Sequence, residues 1–559
     1  MDRPAEKSLL PFALVTLAWA LSLEAFRALL PLIVFGVRDR FRWSALGAEG
    51  SVRTGALALA LFALAFFAGP ILRRLGAQRT LNLGLGLIVL GRLGLQLWPW
   101  DPLGDLLLVV LVVFGLFLLP LAVAERFGGR LLVRGILAGG GLDAILHGAF
   151  GTLDLLWRED LPSLLLALAL LATLALCWWT SRSLTVHHHS VTGTLPWMAL
   201  GPFLFLQLLQ FGNLARLTVL TGWSQDAAWL WLGVGQIAAF LSVVLMQGRQ
   251  RTPPQALALG VILAAALSSP WPQGEMAAVL LLGGQALSAL LLALALDATG
   301  KRRASPSLGL GMGMMFLVLL FFLYYGSYDL TLPLPNTALP VLAALGLAVS
   351  AWAGSRQPHP EMTPVDLRPV ALLAFLLVFP ALRVGGGAAQ PSTDSAALPI
   401  RLMTYNLHCG FDTQGDLTLE AQARVIEESG AEVVALQEVS RGWVMNGSVD
   451  MLAWLARRLD MGYAYAPTAD PLWGNAILSR RPLSSVTNLP FEHGGVHIHR
   501  GLVSADLHLE EGAPLTLMAT HFHHRRKDSH IRQEETQAVL DFWQNRPRAV
   551  VLGDLNATT

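Results

Sequence analysis

Gly553-Asp554-Leu555-Asn556 follows the last apolar run of the sequence, Ala549–Leu552, and three similar runs come before it. Each run is typical of a buried strand, and each ends in a side chain that binds metals or moves protons. The three earlier strand ends are Thr404-Tyr405-Asn406, Leu436-Gln437-Glu438 and Thr520-His521. Because Asn, Glu, His and Asp are the groups that metal-assisted phosphoryl transfer requires, these strand ends predict one site of that kind.

Strands and helices alternate through residues 400–559, which predicts a layered α/β domain. The predicted strands are Ile400–Tyr405, Val433–Leu436, Ala476–Leu478, Leu502–Leu507, Leu515–Ala519 and Ala549–Leu552. The predicted helices are Leu417–Ser429, Val449–Leu459 and Asp528–Trp543.

The composition separates this segment from the rest of the chain. The 559 residues are 54% hydrophobic and 14% charged, and the apolar excess lies before about residue 385. Residues 1–400 hold 25 Lys/Arg and 19 Asp/Glu, whereas residues 401–559 hold 14 and 19. The C-terminal segment is therefore acidic, which disfavours nucleic acid as a partner. Two cysteines cannot supply a disulfide framework.

About thirteen stretches before residue 385 are apolar for the ~20 residues that a spanning helix needs. They begin near Leu9, Gly55, Thr80, Leu103, Leu131, Pro162, Leu195, Ala227, Gln255, Met276, Ser307, Thr337 and Arg368. We expect a multi-pass α-helical membrane domain in a 6+6+1 arrangement. Basic loops alternate with loops rich in Trp, so the N-terminus is predicted to be cytoplasmic and the C-terminal domain extracytoplasmic, in a plasma or inner membrane.

These patterns divide the chain into a polytopic membrane domain at 1–384, a flexible linker at 385–398 and the α/β domain at 399–559. The linker contains the run Gly385-Gly386-Gly387, followed by Pro, Ser and Thr residues.

Charged groups within the predicted membrane helices have two interpretations. Glu24 and Arg27 lie three residues apart in the first helix and are close enough to pair. Asp143 and His147 lie four apart in the fifth helix, and Asp154 follows on the same face. Such groups either hold helices together or line a cavity for a polar or anionic group.

Five motifs in the same order resemble the endonuclease/exonuclease/phosphatase superfamily, which has the DNase I fold. Four are the strand ends above, and the fifth is Gly474-Asn475-Ala476-Ile477-Leu478-Ser479. The resemblance covers residues 400–559 and implies an α/β four-layer sandwich. In the membrane part, Gly69–Arg79 is loosely similar to the basic loop motif of major-facilitator transporters. Many helices followed by such a domain also resemble proteins that remodel the lipid of GPI anchors.

The resemblance implies a metal site at Glu438, with Asn406 as a second ligand or as the group that fixes the Glu438 carboxylate. The expected ion is Mg²⁺, with Mn²⁺ as the alternative, because Mg²⁺ needs only one or two carboxylates. Asp554 is expected to orient or deprotonate the attacking water.

The remaining roles concern the phosphate. His521 and Asn556, expected to be catalytic with Asp554, would donate to phosphoryl oxygens together with Arg500. The alternative for Asp554 and Asn556 is an Asx-type turn. A further set of histidines is expected to be rim or surface: His408, His497, His499, His523 and His524.

The superfamily pattern continues with an Asp-His pair that lies beyond Thr559 in the order of motifs. We therefore expect a domain that is incomplete at its C-terminus, either as a fragment or truncated product or as a catalytically impaired remnant.

Three functions follow from these expectations. The favoured one is a membrane-tethered, Mg²⁺-dependent phosphodiesterase or phosphatase. Its substrate would be an extracytoplasmic phosphate ester, with phospholipids and glycolipids as candidates, and its partners would be membrane lipids, with no protein partner predicted. The second is an extracytoplasmic nuclease. The third is a transporter or lipid-handling protein whose appended domain is not catalytic.

Overall fold

The chain divides into two compact units, and each is described by itself. Unit 1 is Met1–Gly326 with Leu332–Gly385, and unit 2 is Ser327–Thr331 with Gly386–Thr559. The computed structural model describes residues 9–46, 48–97, 101–184, 189, 193–246, 252–269, 271–297, 305–328, 332, 334–358, 366–385, 398–492, 498–510, 512–525 and 527–557. Most of the predicted linker and His497 lie outside these residues.

The described residues of unit 1 form helices joined by short non-helical segments. Its α-helices are α1 (Leu10–Pro31), α2 (Ala48–Ala63), α3 (Ala68–Leu97), α4 (Pro102–Phe127), α5 (Gly129–Ala149), α6 (Leu161–Ser181), α7 (Thr194–Trp197), α8 (Leu200–Leu206), α9 (Leu214–Thr221), α10 (Gln225–Met246), α11 (Pro253–Ala266), α12 (Gly274–Leu296), α13 (Pro306–Gly326), α14 (Ala338–Gly354), α15 (Arg368–Leu376) and α16 (Val378–Gly385). Two π-helical segments, Leu32–Asp39 and Gln207–Phe211, extend α1 and α8.

In the part of the chain that the structure describes, nine helical stretches are long and apolar enough to cross a membrane. One of them, Glu49–Leu97, has 49 residues and is broken by non-helical backbone at Gly76. The apolar helices α11 and α14 are shorter. These helices indicate a multi-pass membrane protein, while the predicted number of about thirteen spans and their orientation remain predictions.

Small residues let the helices of unit 1 approach closely. A Cβ atom on Gly201 of α8 would lie 1.9 Å from the carbonyl oxygen of Gly313 in α13. Glycine is therefore required at this crossing, as is common where helices pack without a hydrophobic driving force between them.

The charged groups of unit 1 form ion pairs other than those expected from their spacing in the sequence. Glu24 bonds to Arg92 of α3 at 2.6 Å, and Arg27 bonds to Asp143 at 2.6 Å and Asp154 at 2.7 Å. The predicted pairing of Glu24 with Arg27 is therefore wrong, because each has a partner on another element that the sequence spacing cannot reveal.

The described residues of unit 2 form two four-stranded sheets. Their strands are β1 (Leu402–Asn406), β2 (Val433–Ser440), β3 (Gly462–Asp470), β4 (Trp473–Ser479), β5 (Leu483–Pro490), β6 (Gly501–Leu507), β7 (Leu515–His521) and β8 (Ala549–Asp554). The orders are β1-β2-β4-β3 and β5-β6-β7-β8. In each sheet one outer pair is parallel, β1 with β2 and β7 with β8, and the other neighbours are antiparallel.

The two sheets pack face to face over an apolar core. The inner faces contribute alternate residues, as a strand period of two requires: Val433, Ala435, Ala464, Ala466, Ile477, Val503, Ala505, Leu507, Leu517 and Ala519. Helix α18 (Met451–Leu459) packs on β2 of the first sheet and contacts α17 (Leu419–Ser429), and α19 (Ser529–Trp543) packs on the second sheet. The predicted α/β layered fold is confirmed.

The face-to-face packing places β1 against β8 and β2 against β7. These are the two parallel pairs, so four strands run to their carboxyl ends at one edge of the sandwich. This edge is where the polar strand ends of the sequence meet.

Candidate active site

Four strands each deliver one polar side chain to the same edge of unit 2. Asn406 is the last residue of β1 and Glu438 lies near the end of β2. His521 and Asp554 end β7 and β8 and are paired neighbours in the sheet register. The structure therefore brings together the residues that were predicted from separate motifs.

The Asn406 amide joins two carboxylates. Its Nδ2 donates to Asp554 Oδ2 at 3.1 Å and to Glu438 Oε1 at 3.4 Å. Its Oδ1 accepts from the backbone N–H of His408 at 2.9 Å, which fixes the orientation of the amide. In this arrangement Asn406 holds the two carboxylates next to each other, one from each sheet.

Glu438 lies at an irregularity in β2. The register with β4 shifts between Leu436 and Val439, and Glu438 has a φ of +55°, which is strained for a residue with a side chain. Glu438 is half-buried, while its neighbours in the strand are buried. A bulge re-aims a side chain, and here it accompanies the turn of a carboxylate toward the sheet edge.

His521 is fixed as a neutral hydrogen-bond donor. It is 2% exposed, and Arg500 Nη1 lies 3.0 Å from its Nδ1. Because a guanidinium only donates, Nδ1 accepts and the ring proton lies on Nε2. Burial, followed by the charge of Arg500 and the neighbouring His524, lowers the pKa of His521 well below its usual value. The Nε2 atom is 3.8 Å from Asp554 Oδ2.

Arg500 lies behind His521 on an aromatic base. Its guanidinium carbon is 5.3 Å from the centre of the Trp473 ring, and Trp473 stacks on Trp443 at 5.8 Å. Burial lowers the pKa of Arg500, although the negative charges of Glu438, Glu535 and Asp554 act to raise it. Arginine nevertheless remains charged at neutral pH, so this buried cation orients the ring of His521.

Asp554 and Asn556 do form the Asx-type turn. Asp554 Oδ1 accepts from the backbone N–H of Asn556 at 3.0 Å, and Asn556 Nδ2 donates to the Phe522 carbonyl at 2.9 Å. The second oxygen of Asp554 still bonds to Asn406, so the turn and the shared cluster coexist. The preceding Gly553 is required, because a Cβ would lie 2.1 Å from the Thr520 carbonyl oxygen.

Asn475, Trp473 and Glu535 support the site and were not predicted as site residues. Asn475 is 1% exposed and donates to the Gly501 carbonyl at 2.9 Å, and Gly501 pairs with His521. Asn475 belongs to the Gly474–Ser479 motif, so the sequence did contain a signal for it. The sequence contains no signal for Trp473 or Glu535, because a Trp in a strand and a Glu in a helix are common at such positions.

The predicted rim histidines divide into two groups. His408, His499 and His524 are exposed. His523 is instead 5% exposed, so its assignment to the rim is wrong: its backbone N–H donates to Glu535 at 2.8 Å and its Nε2 lies 3.0 Å from Asp528. Burial raises the pKa of Glu535 to about 7.

The donor set at the edge consists of two carboxylates and one amide. No group of three or more His, Cys, Asp or Glu residues arranged for a metal occurs in the described ranges. Glu438 and Asp554 nevertheless share one hydrogen-bond donor, and Mg²⁺ is commonly held by one or two carboxylates with water completing its shell. The residues present fit such an ion.

Residues 403–559 match the family model described as the Endonuclease/Exonuclease/phosphatase family. The C-terminal domain belongs to this family. Three solved structures similar to this endonuclease/exonuclease/phosphatase domain are an endonuclease/exonuclease/phosphatase from Beutenbergia cavernae DSM 12333, a humanized D. rerio TDP2 with 14 mutations and TDP2 from C. elegans. Their sequence identities are 24%, 21% and 19%, and their TM-scores are 0.25, 0.24 and 0.24.

These matches cover 28%, 29% and 35% of this chain, and this chain spans 47%, 63% and 59% of the three proteins. A different match is FucP, a major facilitator superfamily transporter in the outward conformation. It has 15% identity and a TM-score of 0.38, and the match covers 63% of this chain and 99% of FucP. No curated protein sequence matches the chain.

Proposed function

We propose that the endonuclease/exonuclease/phosphatase domain hydrolyses a phosphate ester at the edge where Asn406, Glu438, His521 and Asp554 meet. The observation that supports this most directly is the Asn406 amide, which bonds to Glu438 and Asp554 from different sheets. The family generally contains hydrolases of phosphodiester bonds, which agrees with the proposal.

Asp554 is the proposed group that orients the attacking water, in addition to its part in the cation site. Its side chain is 35% exposed, and one oxygen is held by the backbone of Asn556 and the other by Asn406. A carboxylate fixed by two donors keeps its orientation while its remaining lone pairs face solvent.

His521 and Asn556 are the proposed donors to the phosphate. His521 presents Nε2–H, and Arg500 on the opposite nitrogen makes that proton a stronger hydrogen-bond donor. Asn556 uses one amide hydrogen for the Phe522 carbonyl and has a second. Donors fixed before the reaction stabilise the charge that develops on phosphoryl oxygens.

Glu438 and Asp554 would hold the divalent ion, and Asn406 would fix both carboxylates. Mg²⁺, or Mn²⁺ as the alternative, would supply positive charge against the phosphate. The strained backbone of Glu438 supports a functional assignment, since such strain concentrates at active sites.

The proposed substrate is a lipid-linked phosphate ester on the extracytoplasmic side of a membrane. Two observations support this choice. Unit 1 has nine helices of spanning length among its described residues, and residues 401–559 carry five more acidic than basic side chains. A polyanionic nucleic acid normally requires a basic surface.

The test uses the full-length chain in lipid nanodiscs with Mg²⁺, on three substrates: bis(p-nitrophenyl) phosphate, supercoiled plasmid, and vesicles with phospholipid or glycolipid. We expect hydrolysis of the small diester and of a lipid, with Glu438→Gln lowering the rate ~10²- to 10⁴-fold. The matched control is Glu534→Gln, an exposed residue of α19, which should retain the rate.

Cleavage of plasmid alone would favour the nuclease alternative. No cleavage of any substrate, or equal rates for Glu438→Gln and the control, would reject the proposal and favour a non-catalytic domain.

A further inference from the structure

A buried cluster of charges joins α1, α5 and the segment that follows α5 in unit 1. Arg27 of α1 lies at its centre. The Arg27 guanidinium donates to both oxygens of Asp143 on α5, at 2.6 and 2.7 Å, and to both oxygens of Asp154, at 2.7 and 2.9 Å. Two bidentate pairs on one arginine use four of its five N–H donors.

His147 extends this cluster from α5. Its Nδ1 lies 2.7 Å from Asp154 Oδ1, an oxygen that Arg27 also contacts. Its Nε2 is buried and has no hydrogen-bond partner within the described residues. Arg27, Asp143, His147 and Asp154 are all 6% exposed or less. The ring is therefore fixed by one nitrogen, and the other is the position at which a proton can be exchanged.

A second ion pair completes the charge count. Glu24 on α1 and Arg92 on α3 bond at 2.6 Å and are 2% and 0% exposed. Glu24 lies within Coulombic range of Arg27, Asp143 and Asp154. Three carboxylates and two guanidinium groups leave one negative charge. An uncompensated buried charge is costly in an apolar helix bundle, and one bound proton removes it. Among the ring nitrogens and carboxylates of the cluster, His147 Nε2 is the buried nitrogen that has no hydrogen-bond partner in the described residues.

The other charged groups on elements packed against α5 lie outside this cluster. All of them are half-buried or exposed: Asp105, Glu125 and Arg126 of α4, Asp226 of α10, Glu275 of α12, Arg368 of α15, and Arg130 and Arg134 of α5 itself. The charge balance around His147 is therefore set by five buried groups: Glu24, Arg27, Arg92, Asp143 and Asp154.

We propose that Arg27, Asp143, His147 and Asp154 form a proton-binding site of the membrane unit, with His147 as the group that takes up and releases H⁺. Binding adds one proton to Nε2, turns the imidazole into an imidazolium and brings the cluster to neutrality. Asp154 holds the Nδ1–H and Arg27 holds Asp154, so the proton and the contacts between α1 and α5 belong to one network. This function is independent of the phosphoesterase domain.

The experiment measures the ring nitrogens of His147 by solid-state NMR of the ¹⁵N-histidine-labelled full-length chain in lipid bilayers. The His147→Gln spectrum identifies the signal. We expect an imidazolium at pH 7 in the unchanged protein. In Asp143→Asn, one carboxylate charge is lost while the hydrogen bond from His147 to Asp154 remains, and the signal should become that of neutral imidazole.

The matched control is Asp160→Asn, which removes a carboxylate that caps α6 and pairs with Arg158 outside the cluster. It should leave His147 charged. If His147→Gln does not fold, the difference between the Asp143→Asn and Asp160→Asn spectra still isolates the one histidine that loses its charge. A neutral His147 in the unchanged protein at pH 7, or the same state in both aspartate variants, would overturn the proposal.

Discussion

The two units each hold a cluster of acidic groups, and the clusters differ in what compensates the charge. In unit 1, Asp143 and Asp154 are bound by a guanidinium, and their side chains are 8% and 2% exposed. In unit 2, Glu438 and Asp554 are bound by the neutral amide of Asn406, and the Asp554 side chain is 35% exposed. The first cluster is buried and lacks one positive charge, whereas the second remains open to a cation from outside.

The difference matters for function. Two buried carboxylates that share one arginine keep one negative charge, which is costly without a partner and which a bound proton compensates. Carboxylates that share an amide donor retain free lone pairs, which a divalent ion needs as ligands. Burial and the identity of the partner, more than the residue type, separate the two proposed roles.

Among the changes that test this comparison, Arg27→Met is expected to have the largest effect, a loss of stability. It leaves Asp143 and Asp154 buried without their cation, and removal of one partner of a buried ion pair costs about 3–5 kcal/mol. Denaturant unfolding of the chain in detergent would measure the loss. The matched control, Arg383→Met, removes a half-exposed arginine 3.8 Å from Asp226 and should cost about 0–1 kcal/mol. Equal losses would show that the buried cluster has no special role in stability.

The same residues show where sequence-based inference ends. The positions of the apolar helices and of most strands follow from hydrophobic periodicity. The partners of Arg27 do not, because they lie 116 and 127 residues away and are chosen by helix packing. Local spacing favoured Glu24 instead, and the fold pairs it with Arg92.

Two of the described strands, β3 and β5, were not predicted, and there is a physical reason in each case. β3, Gly462–Asp470, contains glycine, proline and three alanines, and is a strand because it pairs with β4. β5, Leu483–Pro490, is an exposed edge strand rich in Ser, Thr and Asn. In the site, the residue types were evident from the motifs, but the neutral state of His521 depends on burial and on Arg500, which no motif encodes.

A smaller effect concerns the pH dependence of unit 2. The pKa of His521 is lowered in the folded protein, so below the usual His value of ~6.5 the unfolded chain binds a proton that the folded one does not. Stability should therefore fall as the pH is lowered from 7.5 to 5.5. Hydrogen exchange of the β7 amides, corrected for intrinsic rates, would measure it.

In His521→Gln this pH dependence of β7 protection should be reduced. The matched control is His530→Gln, at an exposed position of α19, which should keep it. An unchanged slope in His521→Gln would mean that His521 is not held neutral by the fold.

The smallest expected effect is that of Trp473→Leu. It removes the ring beneath Arg500, and a desolvated cation–π contact contributes about 0.5–2 kcal/mol. We expect a correspondingly small fall in kcat, roughly 2- to 30-fold by the usual conversion of free energy to rate. Trp454→Leu, on α18, is the control and should have no effect on kcat. A loss as large as that of Glu438→Gln would place Trp473 in direct contact with the reaction.

The central claim, that strand ends from two sheets form one cation site, is tested most directly by Mn²⁺ binding to the full-length chain, measured by electron paramagnetic resonance. The variants are Glu438→Gln, Asp554→Asn and the double variant. We predict that each single change weakens binding and that the double change adds little, because residues that share one ion are coupled by about 0.5–3 kcal/mol. Mn²⁺ affinity that is unchanged in both single variants, or losses that simply add, would contradict the account.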